Sequence, residues 1–489
     1  MTTITQSNNA GFPADLLIEL DRSRPRDLRT QLEHGLRQAI TGGSLPPGTV
    51  LPPSRVLATE LEVSRSLVVG AYEQLAIEGY LEARQGSGTR VRGHGLDADL
   101  DHLGPAPYWP VPDPARFSPV QTTSDGKTPR SGLPDPALFP RSQWLRHYRD
   151  VLRGLPDDRL LYPSSNGAYE LRAALAAYLG RVRGVRTAPD GIVICGGFSQ
   201  GLVLLCRTLR RRGVARIGVE DPCFGFHRVL IEAAGLEPVP VPVDKQGLRT
   251  SLLDGLDVGA VLLSPAHSYP TGVVLTADRR VELLRWAHAA GTLVIEDDYD
   301  AELRYGREPV GALQGLDPEH VVYGGTASKV LSPALRLGWL VVPERLSAEV
   351  VLAKFLEDYS AEVLGQLTLA RFIDSGDLAR HLRRVRPIYR SRRDRLLAAL
   401  RSGLPVIRPQ GEAAGLHLLL RLPDGLDPDT VMTAAVRHDI QVEQAAWHWA
   451  DPDTAPPALL VGYGSLRESD LARGIEALSA DLADPCRSV

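Results

Sequence analysis

The sequence predicts a multidomain protein with an N-terminal winged helix-turn-helix, an α/β large domain and a smaller C-terminal α+β domain. Residues 14–92 contain two short helical patterns joined by a tight turn and followed by a hairpin pattern. From residue 131 onward, apolar strand patterns alternate with helical patterns, which indicates a mostly parallel sheet covered by helices on both faces. Beyond Pro343, long helical patterns over 346–373 and 382–400 precede separate strand patterns, which indicate the smaller domain.

Length and composition restrict the class of protein. A chain of 489 residues predicts roughly two to four domains, and 43% hydrophobic residues are enough for real cores. Residues 1–13 are polar without an apolar signal segment, and no apolar run is long enough to cross a bilayer, so we expect no membrane partner. The four cysteines lack paired metal-ligand spacing, so we expect no metal site, no disulfide scaffold and a reducing cytoplasm.

Two serines, each at the start of a helical pattern, organise the segment 14–92. Ser54 is placed to cap a first short helix, Glu62 and Val63 make the tight turn, and Ser64 is placed to cap a second helix. Gly79 ends that second helix, and residues 80–91 predict a hairpin with a glycine-rich tip. The expected result is a helix-turn-helix with a β wing.

The second helix of such a motif enters the major groove of DNA by its first turn. This places Ser64 at the DNA surface and Arg65 and Ser66 near base edges. Arg55 and the wing tip are expected at phosphates or in the minor groove, the tip residues being Gln85, Gly86 and Ser87. Acidic residues match the arginines of the segment one for one, so affinity must come from focused contacts and dimerisation. A small helical bundle that packs against the rest of the protein is the plainer alternative.

Five short motifs of this segment resemble the GntR-type DNA-binding domain nearly throughout. They are Leu-Pro-Pro-Ser-Arg-x-Leu-Ala (51–58), Val-Ser-Arg-Ser (63–66), Ala-Tyr-Glu-Gln-Leu (71–75), Glu-Gly-Tyr-Leu (78–81) and Gln-Gly-Ser-Gly-Thr (85–89). The resemblance implies a double-stranded operator as partner.

Residues 93–130 are poor in periodicity and rich in proline, which predicts a semi-rigid linker. Such a spacer allows the DNA-binding head to sit away from its own body or across on a partner's body. The neighbouring Tyr108 and Trp109 offer a third arrangement, in which the linker docks on the large domain.

The chemistry of the large domain is concentrated between Thr292 and Trp339. A buried-strand pattern ends in the acidic-aromatic cluster 296–300, and a second strand pattern delivers Lys329 and later Arg336. Each piece suits an aromatic aldehyde phosphate as ligand: a lysine condenses with the aldehyde, and an arginine grips the phosphate with its planar fork. Asp297 suits the nitrogen of a pyridine ring, and Tyr299, on the same face of the strand, suits a ring oxygen. Solvated acids and an ordinary surface lysine are the plainer interpretation.

Other strand ends of the large domain carry further candidates. A glycine-rich turn after strand 191–195 opens a helix at Phe198 and Ser199, which is typical of a phosphate cradle and also of many ordinary α/β turns. Phe224 suits stacking on a flat ring or plain core packing. His267 is placed to contact a ring oxygen, or it is an ordinary loop histidine that caps the turn. Ligands of parallel sheets bind at the carboxyl ends of strands, so these residues are expected together with Asp297, Tyr299 and Lys329.

The order Asp297-x-Tyr299, Ser328-Lys329 and Arg336-Leu-Gly resembles fold-type-I aminotransferases, which use pyridoxal 5'-phosphate (PLP). The similarity to aminotransferases covers residues 131–485. Because a GntR-type head precedes this segment, the whole chain resembles the MocR subfamily of bacterial regulators, including vitamin B6 regulators of the PdxR kind. It implies a domain-swapped homodimer in which Lys329 forms the internal aldimine and Phe224 stacks on the ring. The implied phosphate ligands are Ser199, Thr326, Ser328 and Arg336, with Tyr162 entering from the partner.

One departure from the aminotransferase pattern bears on function. Aminotransferases commonly hold the substrate carboxylate with an arginine in the last strand of the small domain, but residues 458–463 contain none, and Arg467 lies beyond them. A carboxylate that faces apolar groups is poorly held. The departure argues against a working aminotransferase and an amino-acid effector, and favours PLP itself as the signal.

Three functions follow from these patterns. The leading hypothesis is a PLP-responsive transcription regulator that controls vitamin B6 or amino-acid metabolism, with an amine or amino acid as a further effector left open. The second is a functional PLP-dependent aminotransferase with a vestigial DNA-binding head. The third is a DNA-binding repressor with an inactive body.

Overall fold

The computed structural model describes residues 20–23, 27–84, 88–92, 131–306, 310–411, 413–438, 440, 442–465 and 468–483. The chain divides into two compact units, Met1–Val111 and Pro112–Val489. The predicted linker 93–130, the wing-tip residues Gln85, Gly86 and Ser87, and Arg467 lie outside the described residues. A search of the described helices for a stretch long and apolar enough to span a membrane finds none.

The first unit is a winged helix-turn-helix, as the sequence predicts. Its elements are α1 (Leu28–Thr41), α2 (Ser54–Glu60), α3 (Arg65–Ile77), β1 (Leu81–Arg84) and β2 (Gly88–Val91), and the two strands pair antiparallel. Leu36, Leu57, Val68 and Leu75 are buried in one core because apolar residues recur at helical spacing along the three helices. Gly79 has φ +84°, a left-handed conformation that ends α3 and turns the chain into the wing.

The large domain is built on a mixed, mostly parallel sheet of eight strands in the order β3-β10-β9-β8-β7-β4-β5-β6. The strands are β3 (Ile192–Cys195), β4 (Arg216–Asp221), β5 (Glu237–Asp244), β6 (Gly247–Leu248), β7 (Ala260–Leu263), β8 (Leu293–Asp298), β9 (Val321–Thr326) and β10 (Gly338–Val341). Three strand pairs of this sheet, as described, are antiparallel: β10 with β3, β10 with β9, and β6 with β5. Parallel pairing from β5 through β9 places those strands' carboxyl ends along one edge.

Helices cover this sheet. They are α4 (Arg141–Gly154), α5 (Tyr169–Arg183), α6 (Phe198–Arg211), α7 (Phe226–Ala233), α8 (Ala277–Ala290), α9 (Glu344–Asp358) and α10 (Leu364–Asp374). All residues of β3, β7, β8, β9 and β10 are buried, which explains the apolar character of β3, β7 and β10 and of the first three residues of β8 and β9. Ile192 and Ile194 pack into one core and Val193 into another, because successive strand side chains point to opposite faces.

Two features of this domain differ from the sequence-based expectation. The predicted helix over 346–373 is two helices, because Tyr359 adopts φ +63° after α9 and the chain leaves the helical path before α10 begins. Strand β5 was not predicted, since Pro238, Pro240 and Pro242 alternate with valines along it. Its valines supply the buried side of the pattern, and proline is tolerated because β6 covers only the last two residues.

The smaller domain begins with the long helix α11 (Asp377–Gly403). Its antiparallel sheet has the order β11 (Arg408–Gln410), β12 (His417–Arg421), β14 (Ala458–Gly462) and β13 (Val442–Gln444). Helices α12 (Pro428–Arg437) and α13 (Glu468–Ala483) complete it. In this sheet His417 lies opposite Gly462, at the end of β12 that reaches the large domain's cavity.

Candidate functional site

A cavity lies at the carboxyl ends of the parallel strands and at the first turn of α6. The structure brings together in its wall most of the residues that the sequence singled out: Phe198, Ser199, Phe224, Asp297, Tyr299, Thr326, Ser328, Lys329 and Arg336. They come from the ends of four different strands and the loops that follow, which is where ligands of parallel sheets bind.

Asp297 lies at the base of the cavity with one carboxylate oxygen unsatisfied. Its Oδ1 is buried and has no hydrogen-bond partner among the described residues, and its Oδ2 lies 3.8 Å from Nε2 of His227. Burial, reinforced by Asp298 and Asp300, raises the pKa of Asp297 well above its usual range, while burial lowers the pKa of His227 to about 3. A neutral His227 cannot compensate a carboxylate charge. A protonated ring nitrogen at Oδ1 would supply both the missing donor and the missing charge.

Lys329 follows β9 by a short, hydrogen-bonded turn. The Thr326 hydroxyl donates to Ser328 Oγ at 2.9 Å and accepts from the Ser328 N–H at 3.1 Å, which fixes the backbone just before the lysine. Burial lowers the pKa of Lys329, although Asp300 and Asp297 act in the opposite direction. A larger share of neutral amine results, which is the form that attacks an aldehyde.

Arg336 and the turn before α6 form an anion cradle at the other end of the cavity. Arg336 has φ +50°, and a Cβ placed on Gly197 would lie 3.3 Å from its guanidinium nitrogen. Gly197 itself has φ +107° and directly precedes Phe198, the first residue of the 14-residue helix α6. The helix N-terminus, the Ser199 hydroxyl and the guanidinium therefore converge on one space of the cavity that suits a phosphate group.

His267 lies behind Tyr299 and is not a wall residue. Its Nδ1 is 2.9 Å from Asp300 Oδ2 and 3.0 Å from the Tyr299 hydroxyl. In the tautomer that carries its hydrogen on Nδ1, His267 donates to these two oxygen atoms, and the Tyr299 O–H is left to donate into the cavity. The contact between His267 and a ring oxygen that the sequence suggested stays a prediction, and in the structure His267 contacts Tyr299.

Two aromatic residues close the cavity. Phe224 makes edge contacts with His227 at 5.2 Å and Tyr269 at 5.5 Å between ring centroids, and it lines the cavity. Phe198 is buried, and a Cβ on Gly324 would come within 2.2 Å of its ring, so β9 needs glycine at this position. Aromatic faces at these positions suit a flat heteroaromatic ligand.

Tyr162 lies outside the cavity of its own chain. Its side chain is 82% exposed and makes an edge contact with Tyr359 at 4.9 Å. The sequence-based prediction places it in a partner's cavity, and it remains a prediction for the dimer.

Sequence reasoning missed several cavity residues. The clearest are His227, Tyr269, Asp300 and His417. His227 follows Phe224 by three residues at helical spacing, which is a usable signal. His417 comes from the small domain, about 90 residues beyond Lys329, and no local pattern connects the two.

The candidate DNA contacts lie at the start of α3 in the first unit. Arg55, Ser64, Arg65 and Ser66 are all exposed. Ser64 Oγ accepts the N–H of Leu67 at 3.3 Å and lies 3.1 Å from the Ser66 hydroxyl, so it caps α3 as its position suggested. Arg65 and Ser66 are free to face outward from the first turn.

Two families match the chain over separate segments. Residues 28–91 match "Bacterial regulatory proteins, gntR family", and residues 139–424 match "Aminotransferase class I and II". The boundaries follow the two units of the fold.

Relatives match over nearly the full length. The chain is 34% identical to the "HTH-type pyridoxine biosynthesis transcriptional regulator PdxR" of Corynebacterium glutamicum, over 94% of this chain and 96% of the relative. It is 31% identical to the "Probable rhizopine catabolism regulatory protein MocR" of Rhizobium meliloti, over 96% of each.

Solved structures match the aminotransferase-like part. An archaeal alanine:glyoxylate aminotransferase has a TM-score of 0.67 at 27% identity, covering 72% of this chain and 89% of its own. The kynurenine aminotransferase of Pyrococcus horikoshii has a TM-score of 0.66 at 27% identity, covering 73% and 90%.

Proposed function

The chain belongs to the MocR subfamily of GntR-type transcription regulators, and from this premise we propose that it regulates transcription by binding DNA in response to PLP. A relative of nearly equal length is described as a regulator of pyridoxine biosynthesis, so genes of vitamin B6 metabolism are the proposed targets. Such a protein works in the bacterial cytoplasm, where the operator is.

The observation that carries the proposal is the unsatisfied Oδ1 of Asp297 in the same cavity as Lys329, whose pKa is lowered by burial. PLP matches both ends, because it supplies an aldehyde for a lysine and a pyridine nitrogen for a carboxylate. Arg336 and the start of α6 would hold the phosphate, Tyr299 would donate to the ring oxygen, and Phe224 would pack on the ring. Each of these residues binds or orients the cofactor without needing a substrate.

The cavity favours a sensor over an enzyme. The described wall of the cavity contains one lysine, Lys329, and one arginine, Arg336. The proposed cofactor would bind both. Among the described lining residues, no further guanidinium is left for a substrate carboxylate. Strand β14, where the sequence suggested such an arginine belongs, has only apolar and glycine residues from Ala458 to Gly462.

We place a second copy of the chain on the apolar surface around α9. Leu352, Phe355, Leu356 and Tyr359 are exposed on or just after this helix, and Tyr162 contacts Tyr359. Large apolar side chains grouped at the surface mark an interface. A homodimer at this surface brings Tyr162 close to the partner, as the domain-swapped arrangement requires, and gives two DNA-binding heads for a two-part operator.

PLP regulates DNA binding, in this proposal, by favouring one arrangement of the dimer over another. A ligand shifts such an equilibrium only by its difference in affinity for the two arrangements. An amine that joins PLP in the cavity would add to or oppose this shift.

Gel-shift titrations of the intergenic DNA next to the protein's own gene test the proposal. We expect specific binding whose affinity changes when PLP is added, and no change with PLP for Lys329→Ala. Specific binding that is indifferent to PLP would contradict the sensor. Multiple turnovers with an amino donor and a keto acceptor, without specific DNA binding, would favour the aminotransferase alternative.

A further inference from the structure

His417 is a buried histidine whose ring nitrogens are poorly satisfied. It is 3% exposed and lines the cavity, and neither ring nitrogen makes a hydrogen bond of full geometry with the described residues, the Pro270 carbonyl being a weak partner. A Cβ placed on Gly132 would lie 3.8 Å from His417 Nδ1 and 4.0 Å from Lys329 Nζ, so both nitrogens border the same space. An unsatisfied buried polar group of this kind costs free energy that a ligand can recover.

The position of His417 is fixed by the strand and the loop before it. The Tyr463 hydroxyl bonds to the carbonyls of Ala414 at 3.0 Å and Gly415 at 2.7 Å, which holds the loop that leads into β12. A Cβ on Gly415, which has φ +72°, would come within 2.5 Å of the His267 ring, so the loop packs tightly on that histidine.

The surroundings keep this imidazole neutral. Burial, with His267 and Lys329 adding to it and His448 contributing less, lowers the pKa of His417 well below its usual value, and only the Pro270 carbonyl opposes the shift. The packed neighbours are Tyr269 at 4.6 Å and His267 at 5.5 Å between ring centroids. Asp300 is paired with His267 and Glu443 with the Tyr269 hydroxyl, so neither carboxylate compensates a charge on His417. A neutral imidazole offers one N–H donor and one acceptor.

A neutral imidazole, with one N–H donor and one acceptor nitrogen, favours some small ligands over others. An uncharged hydroxyl or amide can satisfy the ring without moving a proton. A carboxylate would be bound best by a protonated ring, which Lys329 and His267 disfavour. An alkyl group would leave both nitrogens unsatisfied.

We propose that His417 is the residue that determines the specificity of the second ligand of this cavity, and that this ligand is a small primary amine bearing an uncharged hydrogen-bonding group. The inference rests on the proposed function, because a primary amine would be able to replace Lys329 at the aldehyde carbon of PLP: a new C=N bond to the amine would form as the C=N bond to Lys329 breaks, and Lys329 would leave as a free amine. His417 then forms a hydrogen bond with the uncharged group at the other end of the amine.

Calorimetric titration of the PLP-loaded full chain with glycinamide, glycine and n-butylamine tests the proposal. The three amines have the same number of non-hydrogen atoms and differ in the group that would face His417. We expect glycinamide to bind about 10-fold or more tightly than either of the others, the ratio for one buried hydrogen bond made or lost. Equal affinities, no binding by any of the three, or a preference for glycine would overturn the proposal.

Substitutions assign the preference to this residue. In His417→Phe we expect glycinamide to lose about 10-fold in affinity while n-butylamine binds as well as before. His417→Gln, which keeps a donor and an acceptor, should retain most of the preference. His288→Phe, an exposed histidine of α8 outside the cavity, is the matched control and should change nothing. If His417→Phe fails to fold, the amine ranking of the wild type and the result for His417→Gln still decide.

PLP affinity is measured first for each protein by its visible absorbance. A wild-type chain that does not bind PLP would remove the proposed function. A chain that binds PLP and responds to it on DNA, yet does not discriminate among the amines, would remove only the role of His417.

Discussion

Asp297 and Asp298 are consecutive residues of β8 whose side chains serve opposite faces of the sheet. Asp297 lines the cavity, whereas Asp298 Oδ2 is 2.7 Å from Arg183 Nε and accepts the Tyr323 hydroxyl at 2.8 Å. The alternation of side chains along a strand separates them. Asp297 therefore keeps one carboxylate oxygen without a hydrogen-bond partner among the described residues, and Asp298 belongs to a buried ion pair.

We predict that Asp297→Asn weakens PLP binding and does not destabilise the protein. The amide is nearly isosteric but carries no charge for the pyridine nitrogen, so the Kd for PLP should rise about 10- to 100-fold. Burial opposes the charge of Asp297 when no cation lies beside it, so the melting temperature measured without PLP should stay equal or rise. Absorbance titration and thermal unfolding measure the two effects. Unchanged PLP affinity would separate Asp297 from the cofactor.

Asp298→Asn should give the reverse result. It leaves the Arg183 guanidinium, which is buried, without its carboxylate, and breaking such a pair costs about 3–5 kcal/mol. We expect a clearly lower midpoint of urea unfolding, with PLP affinity near that of the wild type at a temperature where the variant is folded. If Asp298→Asn lost PLP binding but kept normal stability, Asp298 would belong to the PLP site and not to the structural core.

The lowered pKa of Lys329 predicts how PLP capture depends on pH. Only the neutral amine attacks the aldehyde, so the rate should rise with pH through the pKa of Lys329 and then level off. Because burial places that pKa below the 10.5 of a free lysine, the midpoint of the rise should lie below pH 10.5. Stopped-flow absorbance after mixing with PLP measures the profile. A midpoint at or above pH 10.5, or covalent capture by Lys329→Ala, would rule out Lys329 as the reacting amine.

The proposed DNA contacts of the head are of two kinds, which substitutions can separate. Arg65→Ala should weaken binding to the operator more than to unrelated DNA, by about 1–3 kcal/mol of discrimination, because a base-edge contact is lost. Arg55→Ala should weaken both and lower the salt dependence by about one ion, as expected of a phosphate contact. Arg181→Ala removes one exposed charge from α5 in the other unit and is the matched control. If Arg65→Ala lost the same affinity for the operator and for unrelated DNA, Arg65 would not contact a base edge.

The residues that sequence reasoning placed correctly in the cavity follow their strands within a few positions. Asp297, Lys329 and Phe224 are recognised because a parallel strand must deliver them at its carboxyl end. His417 was missed because its place depends on the packing of the small domain on the large one, which no local pattern encodes. The break at Tyr359 was missed for a related reason, since apolar helical spacing continues on both sides of it.

The proposed dimer links the exposed apolar surface to the cavity and makes the last prediction. Leu356 is 61% exposed on α9, and a charge there would be buried against a second copy. Leu356→Glu should therefore shift the chain from dimer to monomer in analytical ultracentrifugation, and weaken PLP binding at the same time because Tyr162 of the partner is predicted to reach the phosphate. Leu316→Glu, at a residue 62% exposed and far from α9 in sequence, is the matched control. A dimer that survives Leu356→Glu would place the interface elsewhere, and a monomer that keeps full PLP affinity would remove Tyr162 from the site.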